Sequence, residues 1–264
     1  MHAREPSIAV CSTIASRSVP VYDDIDNILT QNISLVNIVS LVNILAPETA
    51  CCGECMNNMD RQRPKPYHHG DLRNALIQAG LELLSEGGAA ALDLRKVARR
   101  AGVSHAAPYR HFPDKQALIA AINEEGFHRL AERIRCALRE VSDDAFEQLH
   151  AIARAYVQFA QENPWLMREM FSGLTIEREA FPDLHHASKA VFMLYIEVIK
   201  RGQEQGSIID VDPGALAGVL WALLHGVAML TIEHQMRPYT DGPDGVENVT
   251  RISVQMLYEG LGRK

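Results

Sequence analysis

Helical spacing of the apolar residues constrains this chain more than any other feature. Leu72, Leu76, Ala79, Leu83 and Leu84 fall at i, i+4, i+7, i+11 and i+12, which lines one face over about four turns. Asp71 stands where an N-cap belongs, and Gly87-Gly88 supplies the stop. A shorter helix follows, with Asp93 as cap and Leu94, Val97, Ala98 and Ala101 on one face. In the long remainder, residues 119–264, the pattern is helical throughout and no strand-like alternation is convincing. The expected fold class is all-α, a three-helix head followed by a larger helical domain.

The head is organised around Gly102-Val103-Ser104. A short helix ends at a glycine, Val103 anchors the turn, and Ser104 caps a further helix from His105 to about Phe112. This is a helix-turn-helix unit. Ala98 and Ala101 let the two helices approach. Pro108, at the fourth position of the second helix, removes the first intrahelical bond, back to the Ser104 carbonyl, and makes that helix short and stiff.

Any αα-hairpin shows a glycine turn, so charge has to decide what the unit does. The chain carries a net charge of -7, but residues 61–115 hold ten basic side chains against five acidic ones. A basic segment on an acidic chain points to one local contact with a polyanion. Arg95, Tyr109, Arg110, His105 and His111 offer cationic or polar groups there, and Ala106 and Ala107 are small enough to meet thymine methyls in a groove. Lys115 stands at the start of a third helix, where ammonium and helix dipole together favour a phosphate.

These residues carry a resemblance. The run from Val97 to Leu118 joins Ala101-Gly102-Val103-Ser104, a Tyr109 and His111-Phe112 element, and Lys115 before Ala117-Leu118. It resembles the DNA-binding head of TetR-type transcriptional regulators over His69 to Ile122, about a fifth of the chain. The resemblance implies that Ser104, Tyr109, His111 and Lys115 contact phosphates while His105, Ala106 and Ala107 face bases. Asp93 departs from the Thr or Ser usual in the family. It still caps, but its charge repels a phosphate.

In residues 119–264, breaks are expected at Ser142-Asp143-Asp144, Asn163-Pro164, Phe181-Pro182-Asp183, Gly206-Ser207, Asp212-Pro213 and from Arg237 to Gly245, which gives five or six helices. Leu149, Ile152, Ala153, Tyr156, Phe159 and Ala160 form an apolar stripe. Pro213 to Ile232 is uncharged and long enough on paper to span a bilayer. His225, three glycines, the Asp212-Pro213 cap and the lack of a partner span favour instead a helix buried in a core and a dimer interface, with no membrane. Trp221, His225 and Gly226, with Asn163-Pro164-Trp165 upstream, resemble a TetR-subgroup C-terminal domain named for its Trp-His-Gly pattern. That resemblance implies a homodimer formed through residues 213–236 and 246–262.

An effector pocket should be apolar with few polar groups. Its candidates are Trp165, Met170, Phe171, Met193, Tyr195, Trp221, His225 and Met229, although Met and aromatic residues at helical spacing also build plain cores. Adjacent histidines, His185-His186 and His68-His69, point to different sides of a helix and read as solvated rather than metal-binding. Cys136 reads as core, and no GxSxG, HExxH, P-loop or GxGxxG occurs, so neither an enzyme nor a cofactor is expected. Five unevenly placed cysteines point to a reducing, cytoplasmic setting. The expected function is a homodimeric repressor released from a double-stranded DNA operator by a small, largely apolar effector. The alternative is a nonspecific architectural DNA-binding protein without an effector.

Residues 1–60 read differently, as an extension ahead of a head at 61–118 and a larger domain at 119–264. Ile33 to Ala46 is apolar but too short to cross a bilayer, and holds a near-perfect repeat, Ser34 to Val39 followed by Ser40 to Leu45. Met56 and Met59 precede the globular pattern, so residues 1–55 are either a disordered or weakly β-forming extension or translated upstream DNA. Cys51-Cys52-Gly53-Glu54-Cys55, lacking a second ligand pair, is a poor zinc site. Arg61 to Tyr67 is basic, proline-interrupted and arm-like.

Overall fold

The computed structural model describes residues 72–172, 180–240, 242 and 244–261. The expectations for the repeat at 34–45, the Cys51–Cys55 cluster, the arm at 61–67, His68-His69 and the Asp71 cap lie outside the described residues.

Helix α1 (Leu72–Gly87) buries Leu76, Ile77, Ala79, Gly80, Leu83 and Leu84, the face its spacing predicts. Gly80 sits against α3 so closely that a Cβ there would lie 2.6 Å from Ile122 Cδ1. After a 3-10 turn at Ala89–Ala91, Asp93 caps α2 (Leu94–Arg100), its carboxylate accepting from the N–H groups of Arg95 and Lys96 at 2.9 and 3.2 Å.

The C-terminus of α2 explains the glycine. Val103 N–H donates to Ala98 O and Gly102 N–H to Arg99 O, the paired bonds of a Schellman ending. Gly102 accordingly has φ +70°. No atom lies within 4 Å of a Cβ added there, so only the backbone objects to a side chain. Gly102→Ala should therefore destabilise the head by ~1–2 kcal/mol, read as a lower denaturation midpoint with unchanged m-value.

The next segment differs from expectation. His105 to Phe112 is not a continuous α-helix but a bend followed by one 3-10 turn at Pro108–Arg110. Pro108 has no N–H to give, so Ser104 O keeps only the i+3 bond from Ala107 N–H, at 3.0 Å. Arg110 and His111 also bond three residues back, and only Phe112 reaches four, to Pro108 O at 2.8 Å. Buried Pro108 and Phe112 pin this turn to the head core.

Helix α3 (Lys115–Arg139) is capped by Asp114, which accepts from Ala117 N–H at 2.8 Å. At ~1.5 Å per residue it is a rod of roughly 37 Å. Leu118 and Ile122 complete the head core, and Phe127, Leu130 and Ile134 are buried further along the same helix. The boundary expected at 118/119 thus falls inside a helix. Cys136 is half-buried beside Glu132 and Arg139 rather than in the core.

Helix α4 (Ala145–Glu162) carries the buried stripe Leu149, Ile152, Ala153, Tyr156, Phe159 and Ala160. Short α5 (Pro164–Met170) follows at the expected Asn163-Pro164 break. The pattern showed no further stop before Phe181, yet α5 ends at Met170 and α6 (Pro182–Glu204) is separate. Asp212 caps α7 (Pro213–Ile232) through Ala215 N–H. A four-residue α8 (Arg237–Thr240) precedes α9 (Gly245–Leu261).

Helix α7 has two unlike faces. Leu216, Ala217, Leu220, Leu224, Val227, Ala228 and Ile232 are buried. Opposite them Ala215, Val219, Ala222 and Leu230 are exposed, Val219 at 53% and Leu230 at 42%. On α9, Ile252 and Met256 are likewise exposed, Met256 at 69%.

Candidate nucleic-acid interface and effector cluster

Of the ten basic residues in the 61–115 segment, the seven that are described are not equivalent. Arg73 pairs with Glu124 at 3.4 Å. Arg100 is held by Glu82 and Glu86, with the two nitrogens 2.9 and 2.7 Å from the Glu86 oxygens. That fork draws the Glu86 carboxyl below its usual range and ties α1 to α2. Among the described residues, Arg95, Lys96, Arg99 and Arg110 are exposed and carry no ion pair. Charge-carrying groups left to solvent on one small unit are what a polyanion can engage.

The turn that replaces the second helix presents the remaining candidates. Ser104, His105, Ala106, Tyr109, Arg110 and His111 are exposed, and Ala107 is half-buried. Tyr109 leaves 52% of its surface open. Lys115 is exposed, and its ammonium donates one bond to Ala89 O at 3.1 Å, which leaves two donors and orients the side chain across the gap between the 3-10 turn and α3. Lys96 and Arg99 are additions to the expected set. Their signal in the sequence was their position on the polar face of α2.

The expected effector residues do not all come to one place. Phe171, Trp221 and His225 come together: the His225 ring lies 4.7 Å from Phe171 and 5.6 Å from Trp221, centroid to centroid. Against His225 lies Tyr156, fully buried, whose hydroxyl is 3.0 Å from His225 Nδ1. The sequence marked Tyr156 only as stripe. Tyr195 is also fully buried, and its hydroxyl has no hydrogen-bond partner. Burial pushes the Tyr156 and Tyr195 phenols far above their usual range and His225 below its own.

Trp165 is elsewhere. It lies against the head, where a Cβ on Gly88 would come within 2.9 Å of its ring, and the Arg168 guanidinium stacks over it at 4.8 Å. Arg168 also donates to the Glu233 carboxylate at 2.6 Å and to Ile232 O, the last carbonyl of α7, at 3.2 Å. Met170 packs on Gly126 of α3, while Met193 and Met229 are half-buried outside these ring contacts. A separate groove of about 280 Å³ between α4 and α9, lined by Arg154, Gln158, Glu247 and Thr250 among others, contains none of the expected effector residues.

Glu169, on α5, is only 6% exposed and has an unpartnered Oε1. Burial raises its pKa, and Lys115 partly opposes this. An acid that holds its proton better folded than unfolded loses its stabilising effect as pH rises through the raised value. Wild type should therefore lose stability above the ordinary glutamate range, near 4.5, and Glu169→Gln should remove that loss. Melting temperatures of both proteins across pH 4–8, taken as roughly the span between carboxylate and imidazole titration, check it.

Comparison with known proteins follows the same division. Residues 76–122 match the description "Bacterial regulatory proteins, tetR family", and residues 149–251 match "Tetracyclin repressor-like, C-terminal domain". The chain is similar to the nucleoid occlusion factor SlmA of Edwardsiella ictaluri, 30% identical over 169 residues, which is 62% of this chain and 85% of that protein. A solved structure of a Rhodococcus protein of unknown function is 34% identical with a TM-score of 0.67, covering 76% of this chain and all (100%) of that one. The TetR family transcriptional regulator PfmR of Thermus thermophilus is 25% identical, TM-score 0.54, over 71% of this chain and 99% of its own.

Proposed function

The chain belongs to the TetR family of bacterial regulatory proteins, DNA-binding regulators that dimerise, and from that premise we propose that it is a homodimeric cytoplasmic repressor, not an enzyme, released from its operator by a small, largely apolar effector. The observation that carries the reading is the sorting of head cations: Arg95, Lys96, Arg99 and Arg110 are left unpaired around an exposed turn. Phosphates are contacted by Ser104, Tyr109, His111 and Lys115, and bases are read by His105, Ala106 and Ala107 with Arg95 and Arg110 alongside. Two heads address half-sites ~34–36 Å apart or a multiple of that.

The dimer forms through α7 and α9, whose outward faces carry Val219, Leu230, Ile252 and Met256. The effector enters the Phe171, Trp221 and His225 cluster around Tyr156, and selects the head spacing that does not fit the operator. We also place the chain in the Trp-His-Gly subgroup, on Trp221, His225 and Gly226 of α7.

Anisotropy titration against the DNA upstream of its own gene, with scrambled competitor and at two salt concentrations, tests the reading. Competitor-resistant binding is expected. The second reading, a DNA-binding protein that needs no effector, draws support from the nucleoid occlusion factors among the relatives. It requires binding that scrambled DNA competes away.

A further inference from the structure

We propose that the groove between α4 and α9 is a second binding site, independent of the effector cluster. It takes a small zwitterion, a molecule that carries one carboxylate and one ammonium as amino acids do.

The groove encloses about 280 Å³, just below the ~300–1,000 Å³ of clefts that hold drug-sized molecules, so its ligand is small. Two opposite charges line the same space, Arg154 of α4 and Glu247 in the first turn of α9. They are not paired with each other. Among the described residues the Arg154 guanidinium has neither an ion pair nor a hydrogen bond, although the residue is half-buried. A charge partly withdrawn from water without a counter-charge is costly, and an anion in the groove removes that cost.

The two walls differ in what they offer. On α4, Gln158 follows Arg154 at i+4 and so shares its face. The Gln158 Oε1 accepts from Arg133 at 3.4 Å, which leaves its amide hydrogens to join Arg154 as donors. On α9, Thr250 spends its hydroxyl hydrogen on Val246 O at 2.8 Å. Glu247 Oε1 lies 3.3 Å from His150 Nε2, at an angle that makes no hydrogen bond, so this carboxylate is free to accept. One wall donates to a carboxylate and the other accepts from an ammonium. A simple anion would meet the charge of Glu247, and a simple cation that of Arg154, whereas a zwitterion satisfies both. Val157 and Val246 supply apolar surface for the short carbon chain between its ends.

The groove stays open in the proposed dimer. Helical spacing turns Ile252 and Met256, the exposed residues of α9, away from Glu247 and Thr250.

Isothermal titration calorimetry of the full chain near neutral pH tests the proposal. Glycine, 4-aminobutanoate and 6-aminohexanoate span the separation of the charges, while butanoate and butylamine carry one charge each. At least one zwitterion should bind about 10-fold tighter than either singly charged compound, the worth of one further charged hydrogen bond. Arg154→Gln should reduce that zwitterion to the level of butylamine, and Glu247→Gln to the level of butanoate. Each variant exchanges a charge for a neutral amide at a groove wall, and circular dichroism checks that helical content is unchanged. A singly charged compound that binds as tightly as every zwitterion would overturn the proposal. So would a preference that survives both variants, which would place the ligand elsewhere, or heat from none of the five compounds in the millimolar range.

Discussion

Val219→Glu combined with Leu230→Glu should yield a monomer that binds a two-half-site DNA about 100- to 1,000-fold more weakly, because on the proposed dimer the second head would no longer arrive as a tethered ligand. Both residues are exposed on the outward face of α7, a helix with no charged residue in its 20 positions. Carboxylates there would be carried unpaired into an interface against a second copy, a desolvation that association cannot offset. The same residues touch solvent in the isolated chain, so the fold should survive. Sedimentation gives the mass, and helical content by circular dichroism controls for folding. Affinity for a single half-site should be unchanged, and the salt slope on the full site should fall by about half as one head's phosphate contacts disappear. A variant that still sediments as a dimer would remove α7 from the interface.

Lys115→Ala has the second largest expected effect. Phosphate contacts set affinity without reading sequence, so binding should weaken alike on operator and scrambled DNA, and the salt slope should drop by about 1. Tyr109→Ala should also weaken all sequences. His105→Ala should behave differently, with overall affinity changing little and the preferred base at one position shifting by about 1–3 kcal/mol of discrimination. Competition titrations at two salt concentrations separate the two behaviours. An unchanged slope in Lys115→Ala would mean that its ammonium stays on Ala89 O, 3.1 Å away, and never meets DNA. Lys115 also opposes the raised pKa of Glu169, so the variant should make the pH dependence of stability steeper, a second and independent readout.

The parts of the molecule legible in the sequence were those with local causes. Asp93 and Asp212 cap the helices that follow them, as expected of short acidic side chains before apolar periodicity, and Asp114 and Asp144, not singled out as caps in the sequence, cap α3 and α4 in the same way. Gly102 turns out left-handed because a Schellman ending demands it. The consequence of Pro108 was half legible: its missing N–H was clear, but a single lost bond was expected to shorten a helix, and it leaves only a 3-10 turn. Long-range facts were not legible. Trp165 rests on Gly88, a residue from a different helix turn far back in the chain, and no spacing pattern announces that. Tyr156 sat in an apolar stripe where its ring explained its presence, and only its contact with His225 shows that the hydroxyl matters too. Arg100 adds to the basic count of the segment, but Glu82 and Glu86, on another helix, hold it.

The unbroken run of α3 from Lys115 to Arg139 governs how this protein could be cut and rejoined. A chimera spliced at residue 118 would sever a helix between Leu118 and Ile119, both core residues, and hand the recipient a head whose hydrophobic underside belongs to someone else's sequence. Transplanting the DNA-reading unit needs a seam in the Glu140–Asp144 connection, where the chain leaves α3 and Asp144 restarts it as the cap of α4. The smallest exchangeable part of this regulator is therefore the head together with the whole of its rod, and a library of hybrid sensors built on it should be joined there.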